Sequence, residues 1–300
     1  MEKNIISPKD LISEEIIGLN RYKNKIIKLF SEIEKNKIMA TNVIGLLLYG
    51  PPGTGKTMLG KWIALKMKAT FLNIQLSDIN SKWYGESEKI IRSLFNVAKK
   101  HAPTVIFIDE IDAIFSTRDK LFETDMDRKL KSEFLTQING ITSQSQKPII
   151  LVGTTNKPFD LDDAFLRRFQ KKMYIGLPLK KERIEILKYY LQSIENNIFD
   201  SDQNIDIIKE KTEGYSSSDL ANVCKEIMCD LNEEEESLSE EDDDDLLVPQ
   251  KKKEKDHDKQ EKKILNLDYL LRMLELNKKT VHPSSLNVYK EFILKYGGKN

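Results

Sequence analysis

The sequence of 300 residues has no apolar run long enough to cross a membrane. Its longest apolar run, Val43–Tyr49, is far shorter than the roughly 20 residues that span a bilayer. The N-terminus also lacks the apolar stretch of a signal peptide. We therefore predict no transmembrane segment, and we expect a cytoplasmic or nuclear protein.

Cysteine and histidine, the usual ligands of zinc, are scarce. The only cysteines, Cys224 and Cys229, stand five residues apart on a predicted helix, and this spacing fits neither a zinc site nor a disulfide framework. The three histidines are scattered along the chain. We expect both cysteines to be reduced packing residues, and we predict no metal site built from cysteine and histidine.

A net charge is also absent, because 48 lysines and arginines balance 48 aspartates and glutamates. This balance gives no global attraction to nucleic acid or to an anionic membrane. The charge is nevertheless unevenly distributed, since an acidic block that ends at Asp245 precedes the lysine-rich stretch Lys251–Lys263. We predict a disordered charged insert at 232–263, and the alternative is a docking segment for a basic partner.

Short apolar runs that alternate with amphipathic stretches indicate an α/β fold. The pattern predicts a parallel sheet that is sandwiched by helices, because its strands are apolar over their whole length. The predicted strands are Ile44–Leu48, Thr70–Ile74, Thr104–Ile108, Pro148–Val152 and Met173–Ile175. Beyond Pro178 the pattern becomes helical. We therefore predict a large domain at 1–178 and a small helical domain at 179–300.

The segment after the first of these strands has the spacing of a phosphate-binding loop, a P-loop. It reads Gly50, Pro51, Pro52, Gly53, Thr54, Gly55, Lys56 and Thr57, and it lies between a predicted strand and a predicted helix. Glycines allow backbone N–H groups to wrap phosphates, and the helix N-terminus adds positive potential. We expect Lys56 to contact the β- and γ-phosphates of ATP, and the Thr57 hydroxyl to bind Mg²⁺.

Two carboxylates follow the strand Thr104–Ile108. ATP hydrolysis requires one acidic group that orients Mg²⁺ and another that activates water, and the end of a strand beside a P-loop is where both are needed. We assign Asp109 to Mg²⁺ and Glu110 to the general base. Without the P-loop, two exposed acidic residues at the start of a loop would be an equal interpretation.

Three further polar residues follow the next strand. The amide of Asn156 can donate to a γ-phosphate and orient water. Arg167 and Arg168 form a pair that could stabilise charge in the transition state from a neighbouring subunit. An isolated pair of arginines would more simply be a solvated surface feature.

Together these motifs resemble the AAA family of ATPases. The matching elements are Gly50–Thr57, Ile108–Asp112, Gly153–Asn156 and Asp160–Phe169, in this order along the chain. The resemblance implies a homo-hexamer whose ATP lies between subunits, with Arg167 and Arg168 directed at the neighbour's nucleotide.

Within this family, Ser81–Lys89 resembles the central-pore loop of the meiotic group. This group contains katanin, spastin, fidgetin, the ESCRT-disassembling ATPase and the mitochondrial outer-membrane extractase. The resemblance implies that Trp83 grips a polypeptide substrate and that Tyr84 supports it. From composition alone, Trp83 would be a core residue.

The resemblance also suggests contacts to adenine. Ile17 and Gly18 resemble a segment whose backbone contacts the base, and Ser217 lies at the start of a helix that does so in relatives. Either Ser218 or Asp219 fits the N-cap of this helix.

Several functions remain open. Katanin- or spastin-like microtubule severing, with tubulin tails as substrate, is our first expectation, and it would make the protein cytoskeleton-associated. The alternatives are disassembly of ESCRT-III filaments and extraction of membrane proteins, and a recruiting adaptor could direct the protein to its substrate in any of the three tasks. From other classes, an ATP-binding scaffold with little hydrolysis and a nucleic-acid motor are considered, and the latter is disfavoured because no basic stripe with interleaved aromatics occurs.

Overall fold

The computed structural model describes residues 5–7, 16–35, 44–74, 87–116, 125–140, 148–239 and 265–296. The elements in these ranges are β1 (Ile5–Ile6), α1 (Asn20–Lys35), β2 (Ile44–Tyr49), α2 (Lys56–Lys66), β3 (Thr70–Ile74), α3 (Ser87–Lys100), β4 (Thr104–Ile108), α4 (Asp112–Phe115), α5 (Asp125–Gly140), β5 (Ile149–Thr155), a 3₁₀ turn (Pro158–Asp160), α6 (Asp163–Leu166), β6 (Lys171–Tyr174), α7 (Lys180–Tyr190), α8 (Asp202–Lys211), α9 (Ser217–Ser239), α10 (Leu267–Leu276) and α11 (Ser285–Tyr296).

The strands form one sheet in the order β1-β3-β4-β5-β2-β6. Five of them are parallel, and β1 pairs with β3 in the antiparallel direction. The predicted α/β fold with a parallel sheet is thus confirmed. β2, β4 and β5 are buried at every position, because helices cover both of their faces.

Successive residues of the central strands enter two separate hydrophobic clusters, since side chains alternate between the faces of a sheet. On one face, Leu47 and Ile106 pack with residues of α3, α5 and α11. On the other face, Leu46 and Val105 pack with residues of α1 and α2. The two layers hold the carboxyl ends of β2, β4 and β5 side by side, where the predicted site residues lie.

The chain divides into two compact units at the expected boundary, but the last helix belongs to the first unit. That unit ends at Leu177 and resumes at Val281, whereas the second runs from Pro178 to Thr280. The prediction that 179–300 is one helical domain was therefore wrong for its end. The physical reason is aromatic packing: Phe292 of α11 contacts Tyr49 of β2, with ring centroids 4.9 Å apart.

The second unit is helical, as predicted. A buried arginine ties its first helix to its second: Arg183 donates to the Thr212 hydroxyl at 2.9 Å and to the carbonyl of Lys209. Cys224 is buried in this unit, and burial raises its pKa to about 12. Cys229 is free and exposed, so the prediction of a packing residue holds for Cys224 alone.

Helix α9 differs from expectation at both ends. Its N-cap is Ser216, not Ser218 or Asp219, because the Ser216 hydroxyl accepts from the Asp219 N–H at 3.2 Å. The Asp219 carboxylate in turn accepts from the Ser216 N–H at 2.8 Å, which completes a capping box. The helix then continues to Ser239, so the first part of the predicted disordered insert is helical. Its glutamates and leucines are good helix formers. The rest of the insert, 240–263, lies outside the described residues.

Among the described helices, none combines the length and the apolar character needed to cross a membrane.

Candidate nucleotide site

The phosphate loop leaves β2 and enters α2 in a conformation that requires glycine. Gly50 has a φ of 153°, and a Cβ at this position would lie 2.1 Å from the Ile175 carbonyl oxygen. Gly55 has a φ of 85° at the N-cap of α2. A substitution at either position would be strained, so the glycines predicted from the motif are needed by the backbone itself.

Lys56 folds back over this loop. Its Nζ donates to the carbonyls of Gly50 at 3.1 Å and Pro51 at 2.7 Å. Burial lowers the pKa of the Lys56 amine from 10.5 to about 8, and the charges of Asp109, Asp112 and Glu110 oppose this effect. A phosphate beside the amine would restore the charge that burial disfavours.

The loop has the donors that an anion needs. Among the described residues, no backbone carbonyl accepts from the N–H groups of Gly53, Thr54, Gly55 or Lys56. These groups lie at the start of α2, where the helix dipole favours negative charge. Because buried N–H groups usually have acceptors, free donors at this position fit the phosphates of a nucleotide.

The acid pair lies directly beside the loop. The Thr57 hydroxyl donates to Asp109 Oδ2 at 2.8 Å, and this bond joins α2 to the end of β4. The structure thus brings the two predicted Mg²⁺ ligands together. In the described ranges, no cluster of three or more His, Cys, Asp or Glu side chains could hold a metal by itself. Two oxygen ligands next to a phosphate site suit Mg²⁺, which is usually held by few protein groups together with substrate phosphates.

Glu110 has the exposure that a general base for water requires. It is exposed, whereas Asp109 is partly buried. Its backbone has a φ of 48°, a region that non-glycine residues seldom adopt and that recurs at functional sites.

Asn156 follows the end of β5. Its side-chain oxygen Oδ1 is buried and has no hydrogen-bond partner among the described residues. Its carbonyl accepts from the Tyr289 hydroxyl at 2.7 Å. A buried acceptor oxygen without a partner at the edge of a phosphate site fits the predicted role of orienting water, because it can accept a hydrogen bond from that water.

The arginine pair lies at the other end of β2. A Cβ on Gly45 would lie 2.1 Å from the Arg168 carbonyl oxygen, so the Arg168 backbone lies beside the start of this strand. Gly50 follows the end of the strand, which puts it roughly 16 Å from Gly45 at about 3.3 Å per residue. Arg167 is exposed, and the buried Nε of Arg168 has no partner in the described part of the chain.

The predicted adenine contacts fall in both units. Ile17 and Gly18 precede α1, and Leu19 reaches the phosphate loop: a Cβ on Gly55 would lie 3.0 Å from Leu19 Cδ1. The first unit therefore has the predicted segment next to its loop. Ser217 is the first residue of α9 in the second unit. The pore-loop residues Trp83 and Tyr84 lie outside the described residues.

Two threonines and a tyrosine of the site were not identified from the sequence. The Thr154 hydroxyl donates to Asp109 Oδ1, and the Thr155 hydroxyl donates to Asp112 Oδ1 at 2.6 Å. The Tyr289 hydroxyl reaches the Asn156 carbonyl from 133 positions further along the chain. Polar residues at the end of a buried strand were a usable signal for the threonines, but no local pattern indicated the tyrosine.

Comparisons with known proteins agree with this geometry. Residues 46–177 match the model of the family described as "ATPase family associated with various cellular activities (AAA)". Fidgetin-like protein 1 of Caenorhabditis elegans is 45% identical over 182 residues, which cover 61% of this chain and 30% of the relative. The katanin p60 A-like 1 protein of Homo sapiens is 45% identical over 187 residues, which cover 61% of this chain and 38% of the relative.

Solved structures show the same architecture. The crystal structure of the FIGL-1 AAA domain has a TM-score of 0.77 and 31% identity, and the match covers 99% of this chain and 94% of that chain. The same domain in complex with ADP has a TM-score of 0.74 and 33% identity, and the match covers 95% of this chain and 90% of that chain. The match thus covers 94% of one solved AAA domain, but only 30% of the length of the fidgetin-like relative.

Proposed function

The chain belongs to the AAA family of ATPases, in the group that contains katanin and fidgetin, and on this premise we propose that it hydrolyses ATP in a ring to remodel microtubules. The observation that carries the ATPase part is the hydrogen bond between Thr57 and Asp109, which joins the phosphate loop to the acid pair. This contact supports the proposal, because the residues proposed for phosphate binding and the acid pair proposed for water activation meet at one edge of the sheet.

Each residue has a separate task in the proposed reaction. The free N–H groups of the loop bind the phosphates, and the Lys56 ammonium binds the β- and γ-phosphates. Thr57 and Asp109 hold Mg²⁺, which when bound neutralises charge that develops on the phosphate oxygens. Glu110 accepts a proton from the attacking water, and Asn156 orients that water through its side-chain oxygen Oδ1, which has no other partner among the described residues.

A steady-state assay of phosphate release tests the ATPase proposal. Glu110→Gln keeps the side-chain shape but removes the base, so we expect ATP binding with turnover reduced by about 10²- to 10⁴-fold. An ATP-binding scaffold would release little phosphate in the unaltered protein, and this result would contradict the proposal. The presence of Glu110, Asn156 and the two arginines favours the hydrolase over the scaffold.

We propose a homo-hexamer because the arginines need a second subunit. The Arg168 backbone lies roughly 16 Å along β2 from the phosphate loop of its own chain. An extended arginine side chain is much shorter than this separation. The pair therefore suits the nucleotide of a neighbouring copy.

Mixing two inactive variants tests this arrangement. Lys56→Ala subunits lack phosphate binding but retain both arginines, whereas an Arg167→Ala, Arg168→Ala variant retains its own nucleotide site. If arginines act between subunits, the mixture regains activity that neither variant has alone. Absence of recovery, with both variants shown to assemble, would contradict a shared site.

The proposed substrate is the microtubule, in keeping with the katanin and fidgetin group. Trp83 is the proposed gripping residue and Tyr84 its support, on the basis of the sequence motif. We expect the protein to shorten stabilised microtubules in the presence of ATP. Trp83→Ala should hydrolyse ATP but leave microtubules intact, and disassembly of ESCRT-III polymers without an effect on microtubules would favour the alternative substrate.

A further inference from the structure

A buried threonine hydroxyl at the end of β5 contacts the acid pair directly. We propose that Thr154 is a positioning residue for ATP hydrolysis, which orients the Asp109 carboxylate and holds the turn that carries Glu110. This inference rests on the proposed ATPase activity and assigns a further residue to the same site.

The register of the sheet places Thr154 of β5 between β4 and β2. Ile108, the last residue of β4, pairs with Gly153, so Thr154 lies next to Asp109. On its other side, Thr154 pairs with Leu48 of β2, the strand that leads into the phosphate loop. Thr154 is only 1% exposed. It therefore lies between the strand that delivers the acids and the strand that delivers the loop.

The side chain of Thr154 determines how the Asp109 carboxylate is oriented. One carboxylate oxygen, Oδ1, accepts from the Thr154 hydroxyl, and the other, Oδ2, accepts from the Thr57 hydroxyl at 2.8 Å. The two hydroxyls come from different elements, β5 and α2. Because both oxygens are held, the carboxylate cannot rotate without breaking a hydrogen bond.

Thr154 also holds the turn after Asp109. Its carbonyl accepts from the Ile111 N–H at 3.0 Å, and its hydroxyl lies 3.3 Å from the Glu110 N–H, which also donates to Asp109 Oδ1 at 3.1 Å. Glu110 needs such support, because its φ of 48° is unfavourable for a side chain other than glycine. One residue thus stabilises both the orientation of the acid and the backbone of the base.

The simpler explanation is that Thr154 is a strand residue whose hydroxyl merely finds a partner. Thr104 is such a residue: it is fully buried at the start of β4, and its hydroxyl donates to the Ala98 carbonyl at 3.0 Å. Thr104 lies at the opposite end of the sheet from the acid pair. Thr104→Val therefore makes the same chemical change as Thr154→Val without contact to the site.

The experiment compares Thr154→Val, Thr154→Ser and Thr104→Val by steady-state phosphate release. We expect Thr154→Val to lower kcat by about 10- to 100-fold, since small displacements of catalytic groups have effects of this size. The KM for ATP in the presence of Mg²⁺ should rise by about tenfold at most, in step with weaker Mg²⁺ binding, whereas ATP binding in EDTA should not change because the P-loop is intact. Thr154→Ser keeps the donor and should remain within about threefold of the unaltered protein, as should Thr104→Val. Thr154→Ala, which adds no volume, is measured in parallel in case the valine variant does not fold.

A binding measurement tests the role without turnover. In a Glu110→Gln background, calorimetry gives the dissociation constant of ATP with Mg²⁺ and with EDTA. The Mg²⁺ benefit is the ratio of the dissociation constant in EDTA to that in Mg²⁺. Loss of the Thr154 hydroxyl should reduce this ratio by about tenfold, the scale found for groups that orient metal ligands. Thr104→Val in the same background should leave this benefit unchanged.

Two results would overturn the proposal. In the first, Thr154→Val and Thr154→Ala both have a kcat within about threefold of the unaltered protein. In the second, neither substitution changes the factor by which Mg²⁺ tightens ATP binding. If the unaltered protein releases no phosphate, the proposed ATPase function fails instead, and the Mg²⁺ measurement still decides the role of Thr154.

Discussion

The hydroxyl of Tyr289 donates to the backbone carbonyl of Asn156 at 2.7 Å, which connects the last helix of the chain to the polar residue at the end of β5. Tyrosine is protonated at neutral pH, and burial raises the pKa of Tyr289 further, to about 12, so the hydroxyl remains a donor in alkaline solution as well. The position of Asn156 therefore depends on a residue 133 positions further along the chain.

We expect Tyr289→Phe to reduce ATP hydrolysis several-fold and to lower the free energy of unfolding by about 1–2 kcal/mol, because a buried carbonyl loses its donor. Tyr296→Phe is the matched control on the same helix, since its hydroxyl donates to the exposed Asp163 carboxylate at 2.7 Å. Phosphate release and urea denaturation of both variants check this prediction. Equal activities of the two variants would show that the Tyr289 hydroxyl does not position Asn156.

Gly45→Ala should disturb the arginine pair. The added Cβ would lie 2.1 Å from the Arg168 carbonyl oxygen and 2.9 Å from Phe169 Cα, so the backbone must move. We expect a loss of about 1–3 kcal/mol in the free energy of unfolding, as in other overpacked sites, together with reduced ATPase activity. Gly140→Ala is the control, because a Cβ there meets no atom of the described residues within 4 Å. Thermal denaturation and phosphate release distinguish the two, and a Gly45→Ala protein as active as the control would contradict the prediction.

The affinity for ATP should fall as the pH rises above about 8. Lys56 has a pKa near 8 in the folded protein, and only its protonated form attracts phosphate. Calorimetry between pH 7 and pH 9.5 measures this dependence. Lys56→Met should bind ATP weakly at every pH, and its affinity should not show the fall above about pH 8 that is due to Lys56.

The same group affects stability with the opposite sign. The unfolded chain binds the Lys56 proton with a pKa near 10.5 and the folded protein with a pKa near 8. Between these values the unfolded state binds more protons, so the Lys56 contribution to the free energy of unfolding rises with pH. Below about pH 8 the amine is charged in both states, so the whole cost of burying this charge lowers the free energy of unfolding of the nucleotide-free protein. Urea denaturation should show that the difference between the unaltered protein and Lys56→Met changes from about pH 8 to pH 10.5.

Ser216→Ala should destabilise the second unit. The change removes the N-cap of α9, and such losses typically cost about 1 kcal/mol. Ser218→Ala, two residues further along at an exposed position, is the control and should change the free energy of unfolding by less than about 0.5 kcal/mol. Urea denaturation followed by circular dichroism measures both. Identical midpoints would show that the capping box contributes nothing.

Features of the site carried by contiguous residues were predictable from the sequence. The phosphate loop reads as one segment, and the acid pair follows its strand immediately, so local spacing was sufficient. Contacts between distant segments were not predictable in the same way. No role was assigned to Thr154, because its hydroxyl partner, Asp109, lies 45 positions earlier. The last helix was assigned to the wrong unit for the same reason: its apolar spacing predicts a buried face but does not say which surface covers it.

By itself, the sequence determined the parallel sheet, the phosphate loop and the acidic pair, because each depends on residues that are neighbours along one strand or one turn. Only the tertiary structure decided which side chains support them. Parallel pairing of β4 with β5 sets Thr154 beside Asp109, and the packing of α11 on β2 brings Tyr289 to Asn156. These contacts join elements that meet only when the sheet and its two layers of helices have formed.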